Sequence, residues 1–222
     1  MALANLEEGK RLMQSFQSVS GGHVRVAVTP LTGNLNVVGL LTNFRNRYPG
    51  VSVSLQTGLI AELLDALEHG RVDVVIGPAG ANVEGKEIKR KEIASEQLTL
   101  ITPLARLSQV TSLNDVKDEP FVCLQADSGL RHMLEKAFAA IDAEPRVDFE
   151  THSPSSIREL VAANLGCALI AQSVAEGPGP AVQIHDIHDL PEHPPISAMW
   201  TAGAAPPIAR FIEELTSYML TT

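Results

Sequence analysis

A chain of 222 residues, 45% apolar and 19% charged, can bury a sizeable core and has the composition of a globular α/β protein. A net charge of −9 and an aromatic content of 4% argue against a basic duplex-DNA face and a stacking platform for single strands. No stretch approaches the ~20 apolar residues that cross a bilayer, and residues 1–20 carry Glu7, Glu8, Lys10 and Arg11 where an export signal needs an apolar run.

Leu3, Leu6, Met13 and Phe16 space a helix over residues 3–18, ended by Ser20-Gly21-Gly22. Val24, Val26 and Val28 alternate as one face of a strand over 23–29, and Pro30-Leu31-Thr32-Gly33 is a loop. Leu35, Val38, Leu41 and Tyr48 sketch a helix. The turn Tyr48-Pro49-Gly50 then leads into a strand with Val51, Val53 and Leu55 on one side. Ile60, Leu63, Leu64 and Leu67 follow the i, i+3, i+4, i+7 spacing of a helix capped at Gly70. Val72–Ile76 reads as a buried parallel strand, 78–85 as a loop, and Leu98–Thr102 as a strand stopped by Pro103.

The order then begins again. Phe121–Gln125 is a strand, Ala126–Gly129 a loop, and Leu130, Leu134, Phe138 and Ile141 share a helix face. Arg146–Glu150 is a strand, His152–Ser156 leads into a helix bearing Ile157, Leu160, Val161 and Leu165, and Cys167–Ala171 is a buried strand. A late strand over 196–200 and a helix with Ile208, Phe211, Ile212 and Leu215 can return the chain to the first unit. Two α/β subdomains joined by two crossing segments, with a cleft between them, are therefore expected. Cys123 and Cys167 sit inside apolar runs and read as buried thiols in a reducing compartment.

Catalytic chemistry finds little support. His185, Asp186, His188, Asp189 and His193 are the densest group of metal-ligand types, but His185 and His188 would leave opposite faces of a strand. The three histidines read as solvated residues of a Pro-rich loop, and no metal or cofactor is expected. Ser128 stands on a strand-to-helix turn without a nucleophile-elbow motif, and that turn equally presents a hydroxyl and amides to an anion. Arg25 reads as a solvated or paired strand residue, and Asp73 as either a structural partner or a ligand contact. Small polar residues gather where strands end and helices begin: Thr29, Thr32, Ser128, Gly129, Ser153, Ser155 and Ser156. Ligands of open α/β sheets collect beyond such strand ends, and a helix N-terminus favours a negative group by roughly 0.3–1 kcal/mol. Taken singly, each serine is accounted for by capping.

Four motifs in this order resemble the effector-binding domain of LysR-type transcriptional regulators. They are Ser20-Gly-Gly-His-Val-Arg-Val-Ala27, Leu41-Thr-Asn-Phe-Arg-Asn-Arg-Tyr-Pro-Gly-Val51, Leu64-Asp-Ala-Leu-Glu-His-Gly-Arg-Val-Asp73 and Leu160-Val-Ala-Ala-Asn-Leu-Gly-Cys-Ala-Leu-Ile170. The resemblance covers residues 3–219. It implies two Rossmann-like subdomains joined by two crossover strands, as in periplasmic binding proteins. Residues 1–21 would be the remnant of a linker helix, 22–101 with 196–222 subdomain I, and 102–195 subdomain II. It further implies a cytoplasmic homodimer or homotetramer, away from any membrane, that contacts DNA only through an N-terminal winged helix-turn-helix preceding these residues. A dimer contact is expected at the helix over 34–47.

Carried over to this sequence, the effector pocket takes Thr29, Pro30, Leu31 and Thr32, with Leu59 nearby, and Thr102 and Pro103 at the crossover. Gln125, Asp127, Ser128, Gly129 and Leu130 come from the second unit, and His152, Ser153 and Ile170 from the far wall. Leu31 is apolar where the family often has a hydroxyl, which suits a small organic acid with an apolar part; Asp127 could instead read an amine. Asn164 and Ala171 replace a common glycine and a common proline. The resemblance implies sensing without catalysis. A transport solute-binding protein, and then a serine hydrolase using Ser128, are the alternative readings.

Overall fold

In the computed structural model the described residues are 21–30, 35–79, 88–106, 109–188 and 190–219. The helix expected over 3–18, and the candidate residues Leu31 and Thr32, lie outside them. The first elements are β1 (Gly22–Val28), α1 (Val37–Arg47), β2 (Val51–Thr57), α2 (Ile60–Glu68), β3 (Val74–Pro78) and β4 (Ile88–Ala94). Next come β5 (Leu98–Thr102), a 3-10 turn (Leu113–Val116), β6 (Pro120–Leu124), α3 (Gly129–Ala139) and β7 (Arg146–Thr151). The chain finishes with α4 (Pro154–Ala162), β8 (Ala168–Ala171), α5 (Gln172–Glu176), β9 (Gln183–His185), β10 (Ile196–Thr201) and α6 (Pro206–Met219).

The alternation in β1 decides which helices cover which side of the first sheet. Val24, Val26 and Val28 pack with Leu40 and Phe44 of α1 and with Phe211 and Leu215 of α6. Ala27, one step out of phase, faces Leu63, Ala66 and Leu67 of α2. The sheet order is β2-β1-β3-β10-β4. β1 runs parallel to β2 and β3, whereas the returning β10 is antiparallel to β3 and β4. Asp73 is structural. Arg25 donates to its carboxylate from the backbone N–H (2.8 Å), Nε (3.1 Å) and Nη2 (2.6 Å), tying β1 to the start of β3. Burial raises the Asp73 pKa, but the Arg25 hydrogen bonds and charge outweigh it and hold the carboxyl below its ordinary value.

The second lobe repeats this plan. β6 pairs in parallel with β7, and β5 lies antiparallel between β8 and β9. Val122 N–H to Cys167 O and Cys167 N–H to Pro120 O, both 2.8 Å, join β6 to the chain entering β8. The order across the lobe is thus β7-β6-β8-β5-β9, strand for strand the pattern of the first. Phe121 and Phe138 meet edge to face at 5.1 Å in its core. Cys123 and Cys167 are buried and unbridged, and burial pushes their thiols up to about 11 and about 12.

Strand pairing corrects two expectations. Leu98–Thr102 belongs to the second lobe, because Leu100 and Ile101 each enter a different core of that lobe and β5 needs a neighbour on both edges. The crossings are therefore residues 95–97 and 191–195, and the division is not after residue 101. β4 was unforeseen: Ile-Lys-Arg-Lys-Glu-Ile-Ala has charges where alternation should show, as an exposed edge strand tolerates. The first crossing is pinned to the second lobe. The Glu96 carboxylate accepts from the Ser173 hydroxyl, and Gln172 N–H donates to Gln97 O at 2.8 Å.

Asn164 keeps the backbone that glycine would supply. It sits at φ +64° after α4, where its N–H bonds Val161 O (2.9 Å) and Leu165 N–H bonds Leu160 O (3.2 Å), a Schellman ending. Ala171 has φ −65° and ψ 138°, angles that proline itself adopts. Among the described residues no helix is long and apolar enough to cross a membrane.

Candidate ligand-binding site

Strand ends from both lobes face one another across a cavity of about 240 Å³. From the first lobe, β1 delivers Thr29 and Pro30, the turn after β2 delivers Gly58 and Leu59, and α2 and β3 add Ile60 and Pro78. The second lobe contributes Leu124 from β6, Ser128, Gly129, Leu130 and Met133 around the start of α3, and His152 and Pro154 after β7. His193 and Pro194, on the second crossing, complete the wall. A volume just under the ~300–1,000 Å³ of drug-sized sites suits a small ligand.

Local structure explains how these groups are held. Thr29 N–H bonds Ile76 O at 2.9 Å, and its side chain lies against Gly77, where a Cβ would come within 2.6 Å of Thr29 Cγ2. Ser128 is the N-cap of α3: its Oγ accepts from Arg131 N–H at 3.1 Å. The amides of Gly129 and Leu130 belong to the first turn, which a helix cannot satisfy from within. Gln125 Nε2 lies 3.0 Å from His152 Nε2. The amide nitrogen can only donate, so His152 accepts there and carries its proton on Nδ1. Burial lowers the pKa of His193, more than its bond to Pro194 O and the charge of Glu96 raise it, so the ring is neutral at pH 7.

Seven of the candidate residues line this cavity: Thr29, Pro30, Leu59, Ser128, Gly129, Leu130 and His152. The other described candidates stand off it. Thr102 is fully buried with its hydroxyl on His185 Nε2 at 2.8 Å, and Pro103 follows it at the end of β5. Ile170 lies in the second-lobe core, Asp127 is exposed, and Gln125 stands behind His152. Ser153 Oγ pairs with Ser155 Oγ at 2.8 Å. Pro78 and Leu124 were missed although both are strand ends; Gly58 and Ile60 flank Leu59, Met133 stands one turn after Leu130, and Pro154 follows Ser153. His193 overturns an expectation. It is 7% exposed and forms part of the wall, not a solvated loop residue. No Lys, Arg, Asp or Glu lines the cavity among the described residues. No group of three His, Cys, Asp or Glu is placed to hold a metal among those residues.

The family model for the LysR substrate binding domain matches residues 17–220. The chain belongs to this LysR family. The uncharacterized HTH-type transcriptional regulator YwbI of Bacillus subtilis is 28% identical over 173 residues, covering 76% of this chain and 56% of that protein. The chain thus spans little more than half the length of such a relative. Two solved structures share the fold. The effector binding domain of QuiR in complex with shikimate superposes with a TM-score of 0.77 at 18% identity, covering 91% of this chain and 99% of that one. The regulatory domain of CcmR from Synechocystis PCC6803, in complex with 2-PG, gives 0.78 at 22%, covering 89% and 97%. As a LysR substrate-binding domain, the chain has the two-lobed α/β architecture of periplasmic binding proteins. In that setting the twofold β-α-β plan and the cavity at the strand ends are one design.

Proposed function

We propose that this LysR domain senses a small organic acid held between its lobes, and that binding changes how the full-length regulator sits on DNA. The observation that carries the reading is the start of α3, whose N-cap Ser128 and first residues Gly129 and Leu130 line a largely apolar cavity. A carboxylate would sit there and an apolar body against Leu59, Ile60 and Met133. The ligand shifts the lobes only by as much as it prefers one arrangement over the other. DNA contact would come from an N-terminal winged helix-turn-helix of the whole protein, acting in the cytoplasm.

The chain would make and break no bond. A serine hydrolase needs a base on the nucleophile, whereas the hydrogen bond of Ser128 Oγ among the described residues is to the Arg131 amide. A thermal-shift screen with small organic acids tests the reading: a ligand at about 100 times its Kd adds roughly 2.7 kcal/mol of stability. Ser128→Tyr is expected to weaken that ligand at least ~100-fold by filling the site. Unchanged affinity in Ser128→Tyr, or no shift with any acid, would reject it.

The same reading includes a second copy of the chain against α1. Val38 on α1 is 74% exposed and Leu55 on the edge strand β2 is 46% exposed, so each leaves a large apolar side chain in solvent on the first lobe. Sedimentation should show a dimer that Val38→Glu shifts toward monomer. A strict monomer at high concentration would count against this contact.

A further inference from the structure

We infer that β4 of this chain docks against β9 of a second copy and the acidic groove beside it, and that a twofold axis forms this contact twice. The contact is separate from the one at α1 and does not depend on what the inter-lobe cavity binds.

The two surfaces are sheet edges of opposite charge. Among the described residues, β4 ends the first sheet and β9 ends the order β8-β5-β9. Such edges leave backbone N–H and C=O groups as a template for another strand. In β4, exposed Lys89, Arg90 and Lys91 stand against one carboxylate, Glu92. Lys89 and Lys91 leave the same side of the strand, and Arg90 reaches Ala79 O at 3.5 Å. Exposed Asp186 follows β9 directly, and exposed Glu192 lies on the second crossing. With Glu96 of the first crossing they line a groove of about 390 Å³. Ile184 in β9 is 44% exposed and Leu104 57%, and Gln183 Nε2 donates to Leu104 O at 3.2 Å, so apolar surface accompanies the charge.

The topology sets both edges on one side of the molecule. Only residues 95–97 separate β4 from β5, and β5 pairs with β9. The second crossing runs from β9 back to β10, which pairs with β4. A twofold axis on that side places the first lobe of each copy against the second lobe of the other, which closes the assembly. Charge selects this arrangement: β4 against β4 would oppose cations to cations, and the β9 groove against itself would oppose carboxylates. Each contact joins different lobes of the two copies, so it depends on the angle between lobes.

Sedimentation of Val38→Glu, which charges the α1 surface, isolates this contact. That chain is expected to dimerise at about 20 mM salt and to dissociate at about 0.5 M, where screening is short-ranged. General repulsion between chains of net charge −9 would give the opposite salt dependence. Adding Lys89→Glu with Lys91→Glu should weaken the dimer at least ~10-fold. Adding Asp186→Lys with Glu192→Lys to those changes should restore it to within about threefold of the starting affinity. Melting curves of each variant check that it folds. A monomer at low salt, a dimer indifferent to the changes at Lys89 and Lys91, or a reciprocal reversal that restores nothing would overturn the proposal. Retention of a DNA duplex through Lys89 and Lys91 in place of self-association would overturn it too, and would assign the edge to nucleic acid.

Discussion

Gly166→Ala is expected to destabilise the domain by about 3 kcal/mol, a drop in Tm of roughly 6–12 °C for a chain of this size. Gly166 has φ +151°, a region that side-chain-bearing residues rarely enter. A Cβ there would also lie 3.0 Å from the Pro120 carbonyl carbon and closer still to its oxygen. That oxygen accepts the Cys167 N–H bond that joins β6 to β8. Both obstacles are backbone, so relief requires moving one strand of the second lobe and loosening the bonds between them. Urea unfolding monitored by circular dichroism measures the effect. A loss below about 1 kcal/mol would mean the join is not under the constraint its geometry implies.

Phe44→Ala should cost about 3–5 kcal/mol, the range for truncating a buried aromatic side chain. Phe44 is fully buried at the junction of α1, α6 and the first sheet. Its ring meets Tyr48 and Phe211, each at a centroid distance of 5.1 Å. Tyr48 is the C-cap of the same helix and Phe211 is held within α6, so the cavity left behind collapses little. Phe44→Leu fills most of the space and should lose much less. Equal losses for the two variants, from chemical unfolding midpoints at constant slope, would contradict this packing account.

Much of the fold was legible because its signals are local. The valines of β1 alternate whatever they face, and the i, i+3, i+4, i+7 run of α2 marks a buried stripe before any partner is known. Ser128 reads as a cap from its place before an amphipathic run, and as a cleft residue because it also follows a strand. A place at a strand end also drew in Thr29 and Gly129, whereas Leu130 and His152 came from the family resemblance; applied consistently, the strand-end rule would have added Pro78 and Leu124. Thr102 and Ile170 entered by family analogy, and their strands direct them into the second-lobe core instead.

The periodicities, the caps and the repeated β-α-β order can be read from the chain alone, since each depends on residues a few positions apart. Which lobe owns β5, that charged β4 is a strand at all, and that His193 is buried beside a cavity emerge only in the folded chain. Strand pairing and loop burial are set by segments distant in the chain: β5 pairs with β8 and β9, some 70 to 85 positions away. A histidine in a Pro-rich loop looks the same in sequence whether water or a cleft surrounds it. The difference lies in what the second crossing packs against.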